Sequence, residues 1–93
     1  MRLRDSERAA IKSTILNLDP QAKIYLFGSR VDDAKKGGDI DLLVISRKPD
    51  RDRIRAAKAR LYELIGEQKI DIVLAVDDTD PFVKLALTTG VEL

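Results

Sequence analysis

The segment 26–45, LFGSRVDDAKKGGDIDLLVI, places the strongest constraint on how this chain can fold. Its last seven residues predict a strand, and successive side chains of a strand point to opposite faces, so Asp39 and Asp41 share a face with Leu43. The intervening residues are also apolar, which indicates a sheet that is covered on at least one side and largely buried. Two neighbouring carboxylates repel each other, so the strand predicts a bound cation, with a divalent metal ion as the leading candidate.

Composition narrows the chemistry available to this site. The 93 residues contain no cysteine and no histidine, which excludes thiolate zinc sites, Ser-His-Asp triads and histidine-ligated metals. A metal must therefore be held by oxygen ligands, as Mg²⁺, Mn²⁺ or Ca²⁺ would be. The length predicts one domain, 1–93. No apolar run reaches the length of a membrane span, so the expected location is the cytoplasm.

Hydrophobic periodicity and end signals predict alternating helices and strands. We expect an α/β (α+β) domain with a mixed three- to four-stranded sheet flanked by helices. The predicted helices are 5–18, capped by Asp5 or Ser6, one that Asp50 caps and Gly66 ends, and one that opens at Asp80-Pro81 and ends at Gly90. The predicted strands are 23–27, 39–45, 70–76 and an edge strand over 91–93. The inward residues of the last two helices are predicted to be Ile54, Ala57, Leu61, Leu64 and Ile65, then Phe82, Leu85 and Ala86.

Two further features complete a candidate site. The Gly28-Ser29 turn at the end of strand 23–27 offers backbone N–H groups and a hydroxyl that suit a triphosphate. Asp71 is a third carboxylate, placed at the start of a strand that is otherwise apolar. A plain strand-ending turn is the alternative for Gly28-Ser29, and a strand-start cap or an arginine partner is the alternative for Asp71.

The motif Phe27-Gly28-Ser29-Arg30, followed by Asp39-Ile40-Asp41-Leu42-Leu43-Val44, resembles the signature of the DNA polymerase beta-like nucleotidyltransferase superfamily. Asp71, in Lys69-Ile70-Asp71-Ile72-Val73, lies where that superfamily places its third metal ligand. The resemblance covers essentially the whole chain. It is closest to the minimal nucleotidyltransferases (MNT), short proteins that occur beside HEPN-domain toxins and act as their antitoxins.

The resemblance implies a role for each matched residue. Gly28 lets the backbone approach the nucleotide, Ser29 binds the β- and γ-phosphates, and Arg30 contacts phosphate or forms a structural salt bridge. Asp39 and Asp41 ligate two Mg²⁺ ions, while Asp71 ligates the catalytic ion and acts as the base. The connection between the motifs departs from many members, because it carries the acids Asp32 and Asp33, which Lys35 and Lys36 can offset.

The activity implied is transfer of AMP from ATP to a tyrosine hydroxyl of a cognate HEPN toxin. A chain this short is expected to rely on that partner to complete the site. Two alternatives stay open: an antitoxin that neutralises its toxin by binding alone, and the catalytic subunit of a small-molecule nucleotidyltransferase. The basic run over 47–60 favours a solvated helix face over nucleic acid, because no aromatic residue interrupts it before Tyr62. Homo- or hetero-oligomers are both compatible with the sequence.

Overall fold

The computed structural model describes residues 3–31, 39–48, 50–66 and 68–93, with Ser29 and Arg30 described in their backbone alone. No helix in these ranges is long and apolar enough to cross a membrane. The elements, in chain order, are helix α1 (Asp5–Leu18), strand β1 (Lys23–Phe27), a 3₁₀-helix (Gly28–Val31), strand β2 (Ile40–Ile45), helix α2 (Arg51–Ile65), strand β3 (Ile70–Ala75), helix α3 (Pro81–Thr89) and strand β4 (Val91–Glu92). The predicted elements are confirmed, with small differences at their ends.

The strands form one mixed sheet in the order β3-β2-β1-β4. β1 is antiparallel to both β2 and β4, whereas β2 and β3 run parallel and are joined by α2. A parallel pair requires a crossover of this kind, since the chain must return to the same end of the sheet. The predicted α+β domain with a mixed sheet flanked by helices is confirmed.

The predicted caps hold for two of the three helices. The Asp50 carboxylate accepts hydrogen bonds from two backbone N–H groups of the first turn of α2, and Asp80 accepts one at 2.7 Å at the start of α3. The cap expected at Asp5 or Ser6 is wrong by a residue, because both already lie in α1. There the backbone N–H of Arg4 donates instead to Glu7 Oε1 at 3.0 Å.

Buried apolar residues form two clusters on opposite faces of the sheet, where the alternation in β2 predicted cover on at least one side. The larger cluster lies under α1 and α2 and includes Ile40, Leu42 and Val44 of β2. The smaller cluster lies under α3 and consists of Leu43, Val83 and Ala86, with partly buried neighbours around it. Since Asp39 and Asp41 share the face of Leu43, the predicted site lies on the α3 side.

Three residues predicted to point inward are exposed. Leu64 of α2 is 46% exposed, and in α3 Phe82 and Leu85 are 48% and 66% exposed. Val83, which is 2% exposed, takes the buried place in α3 beside Ala86. Because α3 is apolar on most of its circumference, two adjacent stripes have the same helical spacing, and packing on the sheet decides between them.

Candidate active site

Two of the predicted carboxylates lie side by side where the parallel strands begin. Asp41 of β2 and Asp71 of β3 are directly registered partners in the ladder. On its other side Asp41 is paired with Phe27, the last residue of β1. Residues registered in adjacent strands point to the same face of a sheet, so both carboxylates share the face that α3 covers in part.

The pKa of Asp41 is raised above its ordinary value. Burial of the carboxyl group is the main cause, followed by the negative charges of Asp71 and Asp39, while Lys69 acts in the opposite direction. Both main effects penalise the ionised form. A cation bound here would remove the repulsion, so the electrostatics favour a positively charged ligand between these side chains.

Lys69 is a charged neighbour that sequence reasoning quoted within a motif but did not assign. Its Nζ lies 3.6 Å from Asp39 Oδ2, and the two side chains are 67% and 48% exposed. An ion pair this exposed contributes at most about 1 kcal/mol to stability. The sequence signal that could have identified Lys69 was its position directly before β3. The parallel pairing of β3 with β2 places this position beside the start of β2.

Gly28 fits against Asp41 because it has no side chain. Its φ is +78°, a backbone conformation that L-residues rarely adopt. A Cβ atom at this position would overlap Asp41 Oδ2 and approach Asp41 Cγ to 3.3 Å. The predicted close approach of the Gly28 backbone to a nucleotide stays a prediction, whereas its close approach to the Asp41 carboxylate is a feature of the fold.

The other phosphate-binding predictions concern atoms outside the described part of the chain. Ser29 and Arg30 lie in the 3₁₀-helix that follows β1, and their side chains are not among the described atoms. The connection over 32–38, including Asp32, Asp33, Lys35 and Lys36, lies wholly outside the described residues.

The donor chemistry of this site fits Mg²⁺. Asp39, Asp41 and Asp71 offer only carboxylate oxygens, which hard divalent cations prefer, and Asp41 carries a repulsion that an ion would relieve. Within the described ranges, no group of three or more acidic side chains is arranged to hold a metal ion as it stands. The fit therefore rests on ligand type and mutual repulsion, and not on a preformed coordination shell.

A mixed sheet with carboxylates at the start of two parallel strands is the architecture expected of a nucleotidyltransferase domain. Comparison with known protein families identifies the family: a family model described as polymerase beta, nucleotidyltransferase, matches residues 9–93. The chain belongs to this family, whose members generally use Mg²⁺ and a nucleoside triphosphate. No curated protein matches the sequence significantly.

Proposed function

We propose that this chain is a Mg²⁺-dependent nucleotidyltransferase whose catalytic carboxylates are Asp39, Asp41 and Asp71, within a single catalytic domain over 1–93. The observation that carries the proposal is the register of Asp41 with Asp71. A fold that places two carboxylates together and buries one in part sacrifices stability. A bound cation that also recruits phosphates would recover this stability and would explain why the two carboxylates lie together.

In the proposed reaction an acceptor hydroxyl attacks the α-phosphorus of the nucleotide. An oxygen–phosphorus bond forms to the acceptor, the bond between the α-phosphorus and its bridging oxygen breaks, and pyrophosphate leaves. The Asp71 carboxylate takes the proton of the hydroxyl. Mg²⁺, when bound by Asp39, Asp41 and Asp71, neutralises charge on the attacking and leaving oxygens. Histidine is not required for any of these roles.

Phosphate binding is assigned to the end of β1. Gly28 holds the backbone turn beside Asp41, so the residues that follow Gly28 in the chain lie next to the carboxylates. Ser29 and Arg30 follow directly, within the 3₁₀-helix. A serine hydroxyl can donate to a phosphate oxygen, and an arginine can bind one through two parallel hydrogen bonds.

For the substrates, we infer ATP as donor and a tyrosine hydroxyl of a cognate HEPN toxin as acceptor, which would make the chain an antitoxin. The support is the resemblance to minimal nucleotidyltransferases at 27–30, 39–44 and 69–73. The Asp39 side chain is 48% exposed, so this edge of the site is open to a large acceptor.

The test is a transfer assay with the protein encoded beside this chain. We expect labelled ATP and Mg²⁺ to add the mass of AMP to that protein, with release of pyrophosphate. The double variant Asp39→Asn, Asp41→Asn should abolish transfer, whereas the matched control Asp78→Asn, an exposed acid beyond the end of β3 opposite Asp71, should not.

The remaining outcomes separate the alternatives. Neutralisation of the toxin that survives the double variant, with no transfer by the wild type, would replace catalysis by an antitoxin that acts through binding. Transfer to a small hydroxylated molecule, and to no protein, would instead identify a small-molecule nucleotidyltransferase.

A further inference from the structure

The edge of the sheet formed by β3 carries unpaired backbone groups. β3 pairs with β2 on one side, and no strand in the described ranges pairs with its other side. The carbonyl oxygens of Lys69 and Ala75 accept from the N–H groups of Ile40, the first residue of β2, and of Ser46, which follows β2. Since alternate residues of a strand direct their N–H and C=O groups to opposite edges, Ile70, Ile72 and Leu74 direct theirs away from β2.

This edge has few of the features that normally prevent strand association, and its one charged residue is Asp71. β3 is six residues long, IDIVLA, and five of these are apolar. It contains no proline and no lysine, which commonly protect exposed edges. The opposite edge, β4, is only two residues long and includes the charged Glu92. The two edges therefore differ in their capacity to accept another strand.

We propose that β3 is the contact strand of a homodimer, in which the β3 strands of two copies pair antiparallel around Val73. A two-fold axis perpendicular to the sheet would pass between the two Val73 residues and join the sheets into one. The outward groups of Ile72 in each copy would then exchange hydrogen bonds with those of Leu74 of the partner subunit. This inference is independent of the proposed catalytic activity.

Charge fixes the register of this pairing. β3 ends at Ala75, and Val76 and Asp77 follow it in a bend. With Val73 at the centre and these two residues extended to continue the strand in the dimer, Lys69 lies opposite Asp77 of the partner subunit, and the symmetry creates this contact twice. One position closer to the centre, Ile70 lies opposite Val76 of the partner subunit. This contact would cover the Val76 side chain, which is 51% exposed. Opposite charges directly across an antiparallel pair stabilise it, and apolar pairs do the same.

The neighbouring registers are less favourable. Moving the two-fold centre by one residue, to Ile72 or Leu74, also keeps the outward groups of both strands facing each other. Centring on Leu74 places Asp71 opposite Asp77 of the partner subunit, a like-charge pair that destabilises. Centring on Ile72 places Lys69 opposite Ala75 and loses the ion pair.

The same features indicate that the strand pairing with the free edge of β3 belongs to a second copy of this chain. A two-fold contact needs a strand that is complementary to itself when reversed, and β3 is flanked by a base at one end and an acid at the other. Asp77 uses only Oδ1 to accept from the N–H and hydroxyl of Thr79. Its Oδ2 has no hydrogen-bond partner in the described part of the chain, so it can face a lysine.

The dimer contact adjoins the candidate active site. Lys69 contacts Asp39 at 3.6 Å and would also face Asp77 of the partner subunit. Association therefore brings a further negative charge to the lysine beside one proposed metal ligand. The two sites of the dimer would open on the same face of the continuous sheet.

Sedimentation equilibrium of the whole chain tests the proposal. We expect a monomer–dimer equilibrium that Asp77→Lys weakens by about tenfold, because two favourable charge pairs become repulsive. The double variant Lys69→Glu, Asp77→Lys should restore dimerisation, since it exchanges the two charges. Asp78→Lys is the matched control: it makes the same charge change one residue further on, where the register places the uncharged Gln68 of the partner subunit opposite, and it should weaken association less.

A measurement of the backbone keeps the proposal falsifiable if a variant fails to fold. In the dimer, the amides of Ile72 and Leu74 should exchange with solvent more slowly as protein concentration rises. Mixed isotope labelling should give a contact between the α-protons of Asp71 and Ala75 of different subunits. A monomer at every concentration, equal effects of Asp77→Lys and Asp78→Lys, or unprotected amides in a dimer would each overturn it.

Discussion

Asp41 and Asp71 occupy opposed positions on two parallel strands, so each carboxylate meets the negative charge of the other. This repulsion costs stability in the free protein, and we expect a bound cation to remove the cost. On our proposal, the two residues couple the stability of the domain to cation binding.

We expect Asp41→Asn to raise the unfolding temperature slightly at neutral pH without metal, because it removes a partly buried charge that is repelled by its neighbours. The same change should reduce transfer by at least about a hundredfold, since a proposed metal ligand is lost. Thermal unfolding and a transfer assay measure the two effects. Asp78→Asn should change neither, and a variant that is both less stable and still active would contradict the assignment.

Mg²⁺ should stabilise the wild-type protein against heat, and a chelator should reverse the effect. A ligand that binds only the folded state stabilises it by about 2.7 kcal/mol when present at about 100 times its dissociation constant. The expected signature is a rise in the unfolding temperature with Mg²⁺ concentration that is absent in Asp41→Asn. An equal rise in both proteins would show that the ion binds elsewhere.

Gly28→Ala should destabilise the protein and disturb the site together. The positive φ costs about 1 to 2 kcal/mol for an L-residue, and the new Cβ would displace the Asp41 carboxylate. Gly66→Ala is the matched control, because Gly66 has a φ of +88° with nothing within 4 Å of its Cβ position. Chemical denaturation should show a loss for both variants, but only Gly28→Ala should lose transfer. Equal activity in the two variants would argue against a role for Asp41.

Leu43→Ala and Leu42→Ala should separate the two faces of β2. Both leucines are 0% exposed, so each truncation should cost about 2 to 5 kcal/mol of stability. Leu43 lies on the face of the aspartates, beneath α3, whereas Leu42 packs under α1 and α2. Transfer measured well below the unfolding temperature should fall further for Leu43→Ala. A larger fall for Leu42→Ala would contradict the placement of the site.

At the far end of β2, Ser46 makes part of the stability depend on pH. Its Oγ donates to Asp19 Oδ2 at 2.5 Å, which is the first cause that lowers the Asp19 pKa, followed by the N–H of Gln21. A lowered carboxyl pKa stabilises the fold above the unfolded-state pKa, and this contribution is lost as pH falls through the folded-state value. Urea unfolding between about pH 5 and pH 3 should therefore show a shallower loss of stability in Ser46→Ala than in the wild type. Parallel curves would refute the coupling.

Much of the fold could be predicted because local signals agree with the tertiary structure. The caps Asp50 and Asp80 mark the starts of α2 and α3, and glycines mark their ends. The alternation in β2 correctly predicted that the face of Leu43 differs from the face of Leu42. These signals depend on neighbouring residues alone, so no knowledge of distant contacts was needed.

Other features depend on contacts between distant segments and were not predictable. The sequence does not state that β2 and β3 pair in the register that opposes Asp41 and Asp71. Nor does it show that Gln68 Nε2 donates to Glu7 Oε2 at 2.6 Å. This hydrogen bond joins α1 to the segment just before β3 and gives a partner to Glu7, which is only 5% exposed. Phe82 is 48% exposed and makes an edge-to-face contact with Phe27, at 5.9 Å between ring centroids, and helical spacing does not reveal this contact.

The unequal size of the two apolar clusters affects how the domain unfolds on heating and how the proposed site can rearrange. Among the described residues, the cluster beneath α1 and α2 is much the larger, while α3 rests on only a few buried side chains. Segments with fewer buried contacts open at lower free energy than the rest of a domain. On warming, α3 should detach while the rest of the domain stays folded, so the helix that partly covers the face of Asp41 and Asp71 can rearrange at a cost far below that of global unfolding.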